Sequence, residues 1–212
     1  GFIDTVYAGD LGGNLWRFTT TDRNPANWSG EIIFSRNSTY DGLNTGYVDG
    51  TQDHNSGRKI FYPPSVATSG TTKWVCFATG DREHPLNLAV YDRLYCLKDF
   101  GQTTADKIDE SKLVDVTENE LQLAGATEEE VTNTLAQLYS SPSRLLADGS
   151  YRYGWYIRLD GKDRTLAGER GEKALAEAVI FNAEVFSPPT RSRPGCVPAA
   201  TLAFEGFSGT AV

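Results

Sequence analysis

Two histidines, His54 and His84, and three cysteines, Cys76, Cys96 and Cys196, are the side chains in this 212-residue sequence best suited to chemistry. Neither histidine belongs to a His-x-x-x-His pair or lies near a cysteine, and no Cys-x-x-Cys occurs, so the ligand spacing of a zinc site is missing. His84 sits in Gly80-Asp81-Arg82-Glu83-His84-Pro85, a charged turn with the residue types of an acid–base cluster. Arg82 and Glu83 are adjacent, and neighbours on an extended chain point to opposite faces. The turn therefore reads as a loop held by hydrogen bonds and ion pairs. No Gly-x-Ser-x-Gly elbow and no phosphate loop ending in Gly-Lys-Ser/Thr are present. Gly9-Asp10-Leu11-Gly12-Gly13-Asn14 is rich in glycine but opens no helix, so it does not cradle phosphate. The expectation is a protein that is not an enzyme.

Hard-cation chemistry is the next candidate. A calcium loop gathers carboxylate and carbonyl oxygens around a sharp glycine turn. The opening Gly1-Phe2-Ile3-Asp4 has the form of the end of such a loop, with the Phe2 carbonyl and the Asp4 carboxylate as ligands and the earlier ligands outside this sequence. A second acidic stretch, Asp49-Gly50-Thr51-Gln52-Asp53-His54-Asn55, lacks both a suitable turn glycine and a closing carboxylate and reads as a polar loop. Cys76, within Trp74-Val75-Cys76-Phe77-Ala78, and Cys96, within Arg93-Leu94-Tyr95-Cys96-Leu97, lie in segments that read as strands able to pair. They form a disulfide candidate if the protein is exported, the alternative being two buried thiols that act as small hydrophobes. Cys196 is the odd one out.

These residues must be held by a mainly β framework. Glycine is abundant at 21 residues, and aromatic residues make up 11% of the chain, a pairing that suits short strands and tight turns. Thr5-Val6-Tyr7-Ala8, the glycine-rich turn and Leu15-Trp16-Arg17-Phe18 read as strand, turn, strand, with Leu15 and Arg17 on one face and Trp16 and Phe18 on the other. The unit recurs in stretched form: Trp74 to Thr79, then Gly80-Asp81, a longer loop, and Asp92-Arg93-Leu94-Tyr95-Cys96-Leu97. A weaker copy follows at Ala178-Val179-Ile180-Phe181-Asn182-Ala183-Glu184-Val185-Phe186, with a later strand at Thr201-Leu202-Ala203-Phe204-Glu205. A recurring strand, Gly-Asp turn and aromatic strand predicts part of a β-propeller of about three blades, with a β-sandwich as the competing architecture.

Residues 106–145 interrupt this pattern. Thr117-Glu118-Asn119-Glu120 and Thr127-Glu128-Glu129-Glu130 both fit a capping box, and Val131, Leu135 and Leu138 follow at helical spacing. The expected organisation is blades over 1–105, a short helical insertion over 106–145 packed outside the β body with a solvated acidic face, and a C-terminal blade over 146–212. Formal net charge is -8, which argues against a nucleic-acid groove and against adhesion to anionic lipid. No apolar run is long enough to span a membrane. The start at Gly1 and the absence of methionine read as a piece of a longer polypeptide.

The sequence resembles the C-terminal β-propeller of the type IV pilus tip and biogenesis proteins often called PilY or PilC. The resemblance rests on Asp4 through Phe18, on Thr79-Gly80-Asp81-Arg82-Glu83-His84-Pro85 with Arg93-Leu94-Tyr95, and on Val114-Asp115-Val116-Thr117-Glu118-Asn119. It continues through Gly154-Trp155-Tyr156-Ile157-Arg158-Leu159-Asp160-Gly161, Gly171-Glu172-Lys173 and Val179-Ile180-Phe181-Asn182. It implies a secreted protein at the pilus tip or outer surface that supports pilus assembly, counters retraction and mediates adhesion. The implied partners are the remainder of the propeller, in the same or a separate chain, minor pilins or the tip complex, and a host or surface ligand. The implied cofactor is calcium, in a loop whose last Asp matches Asp4; of that loop only Gly1, Phe2 and Asp4 are present. Ala200-Thr201-Leu202-Ala203-Phe204-Glu205 departs from the aromatic pattern of the closing strand. Two other readings compete: a quinone-dependent dehydrogenase-like propeller, for which no cofactor pocket is legible, and a carbohydrate-binding propeller using Trp155 and Tyr156, which read better as alternating core and surface residues.

Overall fold

The structure is a computed structural model that describes residues 3–35, 58–69, 71–84, 90, 92–117 and 125–159, together with the backbone of short strands elsewhere. It is mainly β with one α-helix among the described residues. Three antiparallel strands, β1 (Thr5–Gly9), β2 (Asn14–Thr19) and β3 (Ser29–Ser35), form a meander in the order β1-β2-β3. A two-strand pair follows, β4 (Tyr47–Val48) with β5 (Thr51–Gln52). The larger sheet comprises β6 (Ser65–Ser69), β7 (Thr72–Ala78), β8 (Arg93–Asp99), β9 (Val114–Asp115) and β10 (Gly154–Arg158), in the order β6-β7-β8-β10-β9. Its first four members are an antiparallel meander, and β9 joins the far edge in parallel. Beyond it, β11 (Lys173–Ala174) pairs with β14 (Pro189–Thr190), and β12 (Val179–Phe181), β13 (Glu184–Ser187) and β15 (Leu202–Glu205) form a third meander.

The β1–β2 turn follows from its residues. Asp10 exchanges backbone hydrogen bonds with Asn14, its carbonyl also accepts the Gly13 amide, and Gly13 closes the turn at φ 78°, where a side chain would be strained. Gly9 is needed for a different reason: a Cβ there would lie 2.0 Å from Ile60 Cγ2, so the strand end can approach residue 60 only without a side chain.

Strand alternation builds two cores. Leu15, Ile33 and Phe34 of the small sheet pack on Val75, Phe77, Tyr95 and Leu97 of the large one, joined by Ile60, Ile108 and Leu113. The opposite face of the large sheet buries Trp74, Cys76, Ala78, Leu94, Cys96, Trp155 and Ile157 under Val114, Val116 and Leu138. The large sheet is thus covered on both faces, which explains why β7 and β8 read as nearly continuous apolar runs.

The helix α1 (Glu128–Leu138) starts with the capping box at Thr127 and Glu130, and its acidic first turn is exposed. Val131 and Leu135 are half-buried and Leu138 is buried, as the helical spacing predicts; Thr134 joins the same stripe and is buried. The other capping-box candidate begins at Thr117, whose hydroxyl accepts the Arg158 amide across to β10; Glu118, Asn119 and Glu120 lie outside the described residues. Residues 106–145 do more than sit outside the β body. Ile108 and Leu113 fill the core between the sheets, while Val114, Val116 and Leu138 fill the opposite one.

Candidate functional site

The two Gly-Asp turns, which carry the charged side chains singled out in the sequence, come together through residues 58–60. The Lys59 carbonyl accepts the Gly80 amide at 3.0 Å, and the Ile60 amide donates to the Asp10 carbonyl at 3.0 Å. Lys59 Nζ reaches Asp81 Oδ2 at 2.8 Å, and Arg58 Nη2 reaches Glu110 Oε1 at 2.7 Å. Three successive residues therefore strap the first hairpin, the second hairpin and the 110–112 turn to one another.

Asp81, Glu83 and His84 lie close enough for one cation, their ligand atoms being within 4.8 Å of each other. Both Asp81 oxygens already have partners. Oδ1 accepts the Glu83 and His84 amides, and Oδ2 accepts Lys59 Nζ with His84 Nδ1 at 3.2 Å. Burial works to raise the Asp81 carboxyl, and the bonds from Lys59 and His84 outweigh it, holding it below the ordinary carboxylate range. A cation would have to displace the Lys59 ammonium. Asp10 is the counterpart in the first turn: burial acts to raise its carboxyl, but donors from Trp16 Nε1 at 2.8 Å and from the Asn14 side chain and amide hold it low.

Asp4 is exposed, and its backbone carbonyl accepts the Thr20 amide. Phe2 lies outside the described residues, as do Asp49, Gly50, Asp53, His54 and Asn55 of the second acidic stretch. Among the described residues Asp4 belongs to no cluster of three metal-capable side chains. One carboxylate does not make a calcium shell of six to eight oxygens, and no step below is routed through calcium.

Cys76 and Cys96 face one another across β7 and β8 and are joined as a disulfide, with Cα atoms 4.1 Å apart. Both are fully buried. Cys196 lies outside the described residues. Trp155 is fully buried beside this pair, so it offers no face to a sugar ring; Tyr156, the next residue, is half-buried and donates to Asp115 at 3.2 Å. Burial raises the Tyr156 phenol to about 12.

Three polar centres carry the packing and were not singled out in the sequence. Asp99, at the end of β8, accepts Tyr7 Oη at 2.6 Å and Arg17 Nη1 at 2.6 Å, bolting the small sheet to the large one. Glu110 accepts Arg58 and the Tyr95 hydroxyl beneath the same interface. Burial pushes the Tyr95 phenol far up, which keeps it a donor to Glu110. Lys98, buried on the other face, donates to Leu138 O at 2.5 Å, Ser140 O at 2.8 Å and Arg152 O at 3.4 Å, and lies over the Trp74 ring at 5.4 Å. It receives the C-terminal carbonyls of α1, where a cation also opposes the helix dipole. The sequence signal for Lys98 and Asp99 was a charged pair ending an apolar strand.

Comparisons with protein-family models, with curated proteins and with solved structures find no match to this chain.

Proposed function

We propose that the chain is a non-catalytic run of β-propeller blades from a cell-surface protein of the type IV pilus, supporting pilus assembly, control of extension and retraction, and adhesion. The observation that carries the blade reading is the shared polarity of the repeats. With the Gly-Asp turns aligned, Ala8 corresponds to Thr79; their cross-strand neighbours Trp16 and Arg93 then correspond as well. In that register Tyr7 and Arg17 of the small sheet face the large sheet, while their counterparts Ala78 and Leu94 face away from the small sheet into the second core. Each repeat thus turns the same face toward whatever follows it, which is how successive blades stack and not how the two sheets of a sandwich meet. The first strands of the second and third meanders, β6 and β12, also lie near one another, as innermost strands do around an axis.

The pilus role rests on the ordered motifs from Asp4 to Asn182 described above. A disulfide between buried cysteines supports an oxidising compartment outside the cytosol. The non-catalytic reading is supported by the charged turn, where the side chains with acid–base capacity are tied up in bonds to Lys59 and the local backbone. The test is deletion of the coding region in the producing cell, followed by counts of surface pili and of adherent cells. Loss of pili, restored when retraction is also disabled, is expected; unchanged piliation and adhesion overturn the proposal.

A further inference from the structure

The small sheet has an outer face that the described residues leave open. Val6, Ala8, Trp16, Phe18 and Ile32 share this face by strand register, since Val6 pairs with Phe18, Ala8 with Trp16, and Trp16 with Ile32. Val6 is 41% and Phe18 38% exposed. In the repeat register this face corresponds to the face of the large sheet that carries Phe77 and Tyr95, which the small sheet covers completely.

The correspondence extends to charge. Counting on from Trp16 and Arg93 by the same number of residues reaches Asp22 and Asp99. Both carboxylates close the same local turn, Asp99 accepting the amide of Gly101 and Asp22 that of Asn24. Asp99 also receives Tyr7 and Arg17 from the neighbouring sheet and is 6% exposed. Asp22 is exposed, and its described partners, the Asn24 amide and Asn27 Nδ2, come from its own loop. Trp28, 51% exposed, is fixed beside it by an indole hydrogen bond of 2.9 Å to the Asp22 carbonyl.

We infer that the outer face of the small sheet is a docking surface for one further antiparallel β-sheet of the same repeat, a sheet that covers Val6, Trp16 and Phe18 and places a guanidinium on Asp22 as Arg17 is placed on Asp99. The inference rests on the reading of the two sheets as successive blades. Its occupant follows from charge complementarity and from the interface already built inside the chain: an apolar face at Val6 and Phe18, with an anion at its rim, calls for an apolar face with a cation at its rim. An aligned β-sheet supplies both; a sugar or a nucleic acid supplies neither.

The test fuses a second copy of residues 3–35 ahead of the full chain through a flexible linker, because that segment carries the apolar face and the cation the socket calls for. The fusion is expected to melt at least about 3 °C above the unfused chain, with the added copy protected from hydrogen exchange. Asp22→Ala in the chain, or Arg17→Met confined to the added copy, should each remove at least half of the gain, and the two together no more than either alone. No gain, a gain indifferent to both substitutions, or an added copy that exchanges freely overturns the inference. So does an unfused chain that dimerises and is returned to a monomer by Val6→Glu, because a second copy would then own the face. Asp99→Ala separates the two levels: if it destabilises the chain while Asp22→Ala leaves the fusion unchanged, the blade reading stands and the docking fails; if Asp99→Ala is also silent, the blade reading itself fails.

Discussion

Asp99 is the acceptor shared by Tyr7 and Arg17 and is nearly removed from solvent. Asp99→Ala leaves a phenol and a guanidinium at the sheet interface without their anion. Removing one partner of such a pair costs more than the pair itself contributes, and about 3 kcal/mol is expected, read as a lower urea midpoint at unchanged slope. Asp22→Ala in the unfused chain should stay within about 0.5 kcal/mol, because the carboxylate is exposed and serves only its own loop. A second residue-level prediction concerns acid. The Asp10 carboxyl lies below its ordinary value in the folded chain, so the unfolded chain binds its proton first as pH falls. Its contribution is fully present above about pH 4 and is lost as pH falls further through the folded value. Asp10→Asn should flatten the decline of stability below about pH 4, measured by urea titration at a series of pH values; an unchanged slope contradicts the role of the Asn14 and Trp16 donors.

At the scale of elements, the clearest prediction is the anchoring of α1. Lys98→Met removes the cation that three carbonyls face, and about 2 kcal/mol should be lost, charged hydrogen bonds being the stronger kind. Hydrogen exchange should accelerate over Glu128–Leu138 before it does in β7 and β8; equal acceleration everywhere would deny the anchor. The Cys76–Cys96 bridge closes a sequence separation of 20, which by loop entropy is worth roughly 3 kcal/mol. The double alanine variant should melt correspondingly lower, whereas reductant alone should act slowly on the native chain because both sulfurs are buried. A double variant as stable as the parent contradicts this. The sequence made these elements legible to different degrees. Alternation fixed the faces of β2, and the Thr127–Glu130 box fixed the start of α1, because both are local. Matching the two hairpins by their polar residues would set Asn14 against Asp92; strand pairing instead sets Trp16 against Arg93, because only the cross-strand neighbours of the turn define register. Arg58 and Glu110 gave no signal, since their meeting depends on sheets packed across a long stretch of chain.

On the scale of the whole molecule, the repeat in the sequence pointed to blades, and the mainly β build with a single described helix is what the structure has. The long excursion between β8 and β10 was legible as an insertion because it loses the period-two pattern. Its contribution to both cores was not, because Ile108, Leu113 and Val116 lie in irregular segments without a period of their own. The candidate calcium ligands illustrate the opposite limit: a carboxylate such as Asp4 is easy to name from sequence, but a shell of oxygens is a property of several segments at once. The shared polarity of the sheets is what ties the account together. The measurement that tests it most directly is an experimental structure of the protein purified assembled from the cell that makes it. The account predicts the three meanders arrayed around one axis, β6 and β12 nearest that axis, and an apolar sheet seated on Val6 and Phe18 with a cation at Asp22. Two sheets closed face to face as a sandwich, with Val6 and Phe18 open to solvent, would contradict it.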